Sequence, residues 1–224
     1  MSVSSPDGAT RWAVVLADAG AAVAAPPGID ARSYALAMCE DVIELVGELS
    51  IVTPAVLTVP CGDPAWTADV AALCWPGTPR YEAPAGSGGA AVLAALRFAA
   101  AGGADAAAVV AGDAPDLPGL LLGKLFRALG GAEVAVSSTD AGDLVALAAR
   151  LPAPGWLDSG AAGLDGRGED AAGRLRDAAG SQVGRVAAGP GWHRLRLPAD
   201  VRRLDPGLEG WSSTRAMLSV PARD

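Results

Sequence analysis

Apolar residues in this chain fall into short unbroken runs, and most runs are followed by a stretch with helical spacing. The first run, residues 12–17 (WAVVLA), suits a strand covered on both faces, as in a parallel sheet. A small-residue loop over 18–28 follows. Asp30 then N-caps a helix to about residue 49, with Tyr34, Met38, Val42 and Leu45 on one face. Residues 55–59 (AVLTV) predict a second strand. Asp63-Pro64 opens a helix to about residue 74, with the aspartate as cap and the proline where its missing N–H costs nothing. Residues 75–89 are rich in Pro and Gly and predict a loop.

The second half continues the alternation. A helix over 90–101 stops at Gly102-Gly103, and a third strand over 106–111 runs into Gly112-Asp113-Ala114-Pro115-Asp116-Leu117-Pro118. A helix over 118–129 follows, then strands at 134–136 and 144–148 with a turn-rich stretch between them. The order βαβαβαββ predicts an α/β fold: a mostly parallel sheet with helices on both faces. Beyond it, 169–179 predicts a helix, 192–197 a strand and 199–204 a short helix. Residues 1–224 are expected to form one domain, with a flexible N-terminus over 1–11 and a long irregular loop over 152–168.

Composition narrows the function classes. Hydrophobic residues make up 51% and aromatics only 4%, so the core must be built from Ala, Val and Leu. The net charge of −8 argues against a sequence-independent nucleic-acid binder. The charge is unevenly spread. Residues 1–159 hold 7 basic and 17 acidic side chains, whereas 160–224 hold 10 and 8, with Arg185, Arg194, Arg196, Arg202 and Arg203 prominent. The longest apolar stretch, 90–112, is interrupted by Arg97 and Asp105, so no membrane partner is expected. Three scattered cysteines and a single histidine argue against a disulfide framework and against a Cys/His zinc site. With no apolar leader visible, a reduced, cytoplasmic, soluble protein is expected.

The candidate chemistry gathers on the segment after the third strand. Ligands of open α/β sheets bind outside the carboxyl ends of the strands, where Asp113 would project. A carboxylate there is a natural ligand for Mg²⁺, which takes one or two carboxylates plus phosphate oxygens. The same pattern also describes Asp113 or Asp116 as a helix cap or turn residue. Gly86-Ser87-Gly88-Gly89 lacks the Lys-Ser/Thr ending of a P-loop.

The GDAPDLP segment, the helix after it and Asp140-Ala141-Gly142-Asp143 together resemble the GT-A-type nucleotide-diphospho-sugar transferase fold, a three-layer, Rossmann-like α/β/α architecture. Within it the chain is most similar to the small bacterial DUF2064 group, whose relatives are the MobA-like and CofC-like nucleotidyltransferases. Pro198-Ala199-Asp200-Val201 resembles the TPADL end of a segment that those proteins write DVDTPADL. The resemblance implies a nucleotide or sugar-nucleotide partner, a glycosyl- or nucleotidyltransferase activity, and a bridging Mg²⁺ or Mn²⁺. By resemblance, Asp113 is the metal ligand and, with Asp140, a catalytic candidate. Ala17, Asp18, Gly86, Ser87, Gly88, Gly112, Asp116, Gly142, Arg194 and Arg196 are the candidate nucleotide-binding residues. A homodimer is left open.

Departures from the family pattern favour a second reading. The first loop carries Asp18 and no basic residue before Arg32, although active nucleotidyltransferases of this fold place Lys or Arg there. The carboxylates expected before the TPAD segment are replaced by Arg194-Leu195-Arg196-Leu197. Two arginines there would oppose a cation, or would take the phosphates directly. The alternative function is therefore a catalytically degenerate member that binds without turnover. Residues 194–197 also read simply as a strand with its arginines in solvent.

Overall fold

The computed structural model describes residues 8–84, 86, 88–161, 164, 170–180 and 184–219. Its frame is a seven-stranded sheet of β1 (Arg11–Asp18), β2 (Thr53–Val59), β3 (Arg80–Glu82), β4 (Ala106–Ala111), β5 (Val134–Ser138), β6 (Leu144–Arg150) and β7 (Val186–Ala188), in the order β3-β2-β1-β4-β6-β5-β7. All pairs are parallel except β4–β6 and β6–β5, so β6 alone runs against its neighbours. The uniformly apolar runs lie where both faces are covered: every residue of β4 is buried.

Helices cover both faces. One face carries α1 (Ala31–Glu48), α2 (Pro64–Leu73), α4 (Gly119–Ala128) and α7 (Ser212–Ser219), packed on Ala13, Val15, Ala108 and Val110. The other carries α3 (Gly88–Ala101), α5 (Leu157–Ala161) and α6 (Ala171–Ala179), packed on Val14, Leu57, Ala107 and Val109. Asp30 and Asp63 cap α1 and α2 as the sequence predicts, accepting from the N–H groups of Ser33 and Ala65. Arg32 then joins the two helices by bridging Asp63 at 2.5 Å and Asp69 at 2.7 Å. Both contacts hold the guanidinium further toward its charged form, and Arg32 in turn draws the Asp63 carboxyl below its ordinary range.

Four features depart from the sequence reading. Residues 192–197 form no strand: they run extended beside the β4–α4 loop, with Trp192 N–H donating to Ser138 and Leu195 N–H to the Asp113 carbonyl. The edge strand on that side is β7, six residues earlier. Inside the expected loop 75–89 lies β3, three exposed residues paired with β2. Residues 19–24 form a 3-10 turn, and residues 212–219 form α7. Of the expected flexible N-terminus, residues 1–7 lie outside the described residues, while Arg11 already belongs to β1. The expected loop 152–168 is likewise only partly described, and its described part contains α5.

Asp41 anchors α7 to α1. It is only 2% exposed, and its two oxygens accept from Ser213 N–H at 2.9 Å and Thr214 N–H at 2.8 Å. Burial pushes its carboxyl above the ordinary value, partly offset by the hydrogen bonds from Thr214 and Ser213. Among the described residues no helix is long and apolar enough to cross a membrane.

Candidate functional site

The sheet order fixes where a cleft must open. From β1 the chain builds outward through β2 and β3, then crosses back to place β4 on the other side of β1. Connections leave β1 and β4 in opposite directions, so a crevice forms beyond their carboxyl ends. Asp18 is the last residue of β1, and Gly112-Asp113 follow β4 directly. Both carboxylates edge a cavity of about 300 Å³ that is also lined by Gly86, Gly88, Arg194 and Arg196. Its remaining walls are largely aliphatic, including Leu16, Val59, Val92, Leu144 and Leu164.

Gly112 is required by close approach. Its N–H donates to the Leu16 carbonyl at 3.0 Å, and a Cβ would stand 2.6 Å from that oxygen and 2.9 Å from Cys39 Sγ. Beneath it, Cys39 is wholly buried. Burial, then the charges of Asp113 and Asp18, push its thiol strongly up and keep it protonated.

Asp113 is held from the far end of the chain. Arg194 donates from Nε to Oδ1 at 2.5 Å and from Nη2 to Oδ2 at 2.8 Å, a bidentate pair. Nη1 of the same guanidinium donates to the Leu144 carbonyl at 2.7 Å, and Arg196 Nε stands 3.6 Å from Oδ2. The pair is well removed from solvent, with side chains 13% and 7% exposed.

Asp116 lies outside the cavity lining and ties down the same C-terminal segment. Its Oδ1 accepts from Trp192 Nε1 at 3.1 Å and its Oδ2 from Asp205 N–H at 3.0 Å. His193 stacks on Trp192, and its Nε2 lies 2.9 Å from Asp116 Oδ1 without the alignment of a hydrogen bond. Residues 192–205 thus form a strap fastened at both aspartates. Tyr34 of α1 is fully buried, and burial followed by the nearby Asp200 carboxylate raises its hydroxyl to about 12.

Four of the predicted residues lie elsewhere, and a fifth is not among the described residues. Ala17 packs in the core, and its carbonyl accepts from Trp66 Nε1. Asp140 and Gly142 line a separate hollow with Thr139 and Arg176, and the Asp140 side chain, 93% exposed, pairs with Arg203 at 3.0 Å. Ser87 is outside the described residues, and Asp116 serves the strap. The cavity therefore gathers Asp18, Gly86, Gly88, Gly112, Asp113, Arg194 and Arg196 of the predicted set. Its aliphatic wall escaped sequence reasoning, because Leu and Val in a cleft carry the same signal as Leu and Val in a core.

The donor set does not fit a divalent cation. Both oxygens of Asp113 are engaged by a guanidinium, and a second guanidinium stands beside them. Asp18 Oδ1 is taken by Gly20 N–H at 2.8 Å. No cluster of three or more metal-ligating side chains occurs among the described residues.

No family model matches the chain, and neither does any curated protein. Solved structures do. A protein described as a nucleotide-diphospho-sugar transferase from Desulfovibrio desulfuricans G20 superimposes with a TM-score of 0.70 at 17% identity, covering 93% of each chain. The 4-diphosphocytidyl-2C-methyl-D-erythritol synthase of Anaerococcus prevotii gives 0.62 at 14% identity, over 88% of this chain and 94% of that one. Glucosyl-3-phosphoglycerate synthase of Mycobacterium tuberculosis, solved with Mn²⁺, UDP and phosphoglyceric acid, gives 0.53 at 15% identity, over 95% and 77%. The fold is that of the GT-A-like nucleotide-diphospho-sugar transferases.

Proposed function

We propose that the β1–β4 cleft binds a nucleotide or nucleotide-sugar without metal-assisted turnover. The observation that carries this reading is the bidentate Arg194–Asp113 pair. On this fold a carboxylate after the central strand is where a bridging cation would attach. Here a side-chain cation occupies that carboxylate, held by the Leu144 carbonyl as well. Guanidinium groups recognise phosphate bidentately, so Arg196, beside the pair at the cleft wall, supplies charge for a phosphate without a metal. The N-terminus of α3, entering the cleft at Gly88, adds favourable dipole, and the aliphatic wall suits a base or sugar ring.

The cleft holds two aspartates and two arginines, so it attracts a phosphate less strongly than a wholly basic loop would. That favours a diphosphate ester over a free triphosphate. Solved neighbours of this fold were crystallised with CTP and with UDP, which supports the ligand class. A homodimer and membership of the DUF2064 group remain part of this proposal.

Thermal unfolding against nucleoside di- and triphosphates and UDP- and GDP-sugars, with and without Mn²⁺, tests the reading. At a hundred times its dissociation constant a ligand stabilises the native state by about 2.7 kcal/mol. A shift independent of metal is expected. A shift that needs Mn²⁺, or donor breakdown abolished by Asp113→Asn, would overturn it in favour of a working transferase.

A further inference from the structure

The other end of the sheet carries a second hollow. It opens at the amino ends of β1 and β4, about 20 Å from Asp113 along β4 at about 3.3 Å per residue. Its volume is about 700 Å³, and Arg11, Asp105, Leu120, Lys124, Arg127 and Arg150 stand in its lining.

Basic charge is concentrated here out of proportion to its supply. Residues 1–159 hold only seven basic side chains, and four of them, including the only lysine of the chain, line this hollow. Of the seventeen acidic side chains in the same stretch only Asp105 does, and its Oδ2 accepts from Thr10 N–H at 2.7 Å.

Register and helix phase explain the gathering. Arg11 on β1 and Arg150 on β6 both pair with Ala106 of β4, so they share one face, about 10 Å apart across two strand spacings. Over that face lies α4, which buries Leu121, Leu122, Leu125 and Phe126. That phase leaves Leu120, Lys124 and Arg127 as an i, i+4, i+7 stripe along the hollow. The sheet arginines are held in place: Arg150 Nε donates to the Leu129 carbonyl at 2.8 Å, and the Arg11 guanidinium lies 5.5 Å from the centre of the Phe126 ring. Lys124 and Arg127 are exposed and have no hydrogen-bond or ion-pair partner among the described residues.

We propose that this hollow binds a small, multiply charged phosphate anion, distinct from the ligand of the cleft. Arg11 and Arg150 form the fixed wall, and the exposed Lys124 and Arg127, which have no partner among the described residues, close on the ligand from the helix side. A single phosphate presents fewer negative charges than the hollow presents cations. A chain of two or three phosphates comes closer to matching the four basic side chains, and forked guanidinium groups suit its oxygens.

Calorimetric titration of the full chain with pyrophosphate and with tripolyphosphate, at ionic strength fixed by NaCl, tests this. Wild-type protein is expected to bind, with tripolyphosphate the tighter. Lys124→Ala/Arg127→Ala should weaken binding at least about tenfold, whereas Arg97→Ala, exposed and outside both cavities, should change it less than about twofold; Arg196→Ala is titrated alongside to report any binding in the cleft. Because Lys124 and Arg127 are exposed, the double variant should keep its melting temperature, which is measured alongside. The proposal is overturned if neither probe binds, if the double variant binds as wild type does, or if only Arg196→Ala loses binding. A poly-glutamate peptide that binds through Lys124 and Arg127 more tightly than tripolyphosphate would overturn the small-ligand assignment.

Discussion

Arg194 reaches across 81 positions to close on Asp113 with two parallel hydrogen bonds, at 2.5 and 2.8 Å. Removing one partner of a buried pair leaves the other charge without compensation, at about 3–5 kcal/mol. Arg194→Ala should therefore destabilise strongly in urea unfolding, and Asp113→Ala/Arg194→Ala should be less destabilised than the sum of the single variants. Millimolar Mn²⁺ should raise the melting temperature of Arg194→Ala, whose carboxylate is released, and leave wild type unchanged. Additive single variants would contradict the pairing.

Gly112→Ala should be costly although the change is one methyl group. The added Cβ meets the Leu16 carbonyl, a backbone atom that cannot rotate away, as well as Cys39 Sγ. A loss of about 3 kcal/mol is expected, the upper end for overpacking. Cys39→Ala in the same background should restore only part of it, because the carbonyl contact remains. Full rescue in chemical denaturation would show that the thiol alone set the constraint.

Asp41 gives a pH dependence of defined sign. Its carboxyl is raised above 3.8 in the folded state, chiefly by burial. The folded chain therefore binds that proton more tightly than the unfolded chain does. The contribution of this group is fully present below 3.8 and is lost as pH rises through the raised value. Asn also caps a helix but offers one acceptor oxygen where Asp41 uses two, an offset that does not vary with pH. The melting temperature of wild type minus that of Asp41→Asn should fall as pH rises from about 4, the ordinary carboxylate range, and then level off. A difference that grows with pH contradicts the assignment.

Asp116→Ala should loosen the strap while the sheet stays intact. It removes the acceptors of Trp192 Nε1 and Asp205 N–H. Each buried donor left without a partner costs about 1–3 kcal/mol. Trypsin reports this directly, because Arg194, Arg196, Arg202 and Arg203 all lie in the strap. Faster cleavage at those four positions than elsewhere is expected; an unchanged fragment pattern would mean that Asp113 alone secures the segment.

The legible parts of this fold are those that physics writes locally. Runs such as WAVVLA and AAAVVA are apolar throughout because both faces of their strands are covered, so β1 and β4 appear with nearly correct bounds. Asp30 and Asp63 announce their helices by capping chemistry within three residues. The tip of β4 was legible too, since Gly112-Asp113 ends the most apolar strand. What could not be read depends on distant partners. Arg194-Leu195-Arg196-Leu197 alternates like a strand, but alternation specifies only an extended chain. A ladder needs a free edge alongside, and β5 already has β7 there. Arg80-Tyr81-Glu82 is a strand only because β2 offers its edge. Asp140, a catalytic candidate by resemblance, is carried by the β5–β6 turn to a different hollow.

The strap has a consequence for how the chain reaches its native state. Asp41, Asp113 and Asp116 find their partners 172, 81 and 89 positions later. While β1 through β6 assemble on a growing chain, these three carboxylates still face water, where their charge costs little. Contacts closed over such separations slow folding, and they form after the local ones. The strap and α7 should therefore be the last unit to dock and the first to detach, with amide exchange in 192–214 faster than in β1 and β4. The cleft wall made by Arg194 and Arg196 belongs to that late unit, so any ligand that bridges the wall and the sheet also selects the finished fold over its nearly finished precursor.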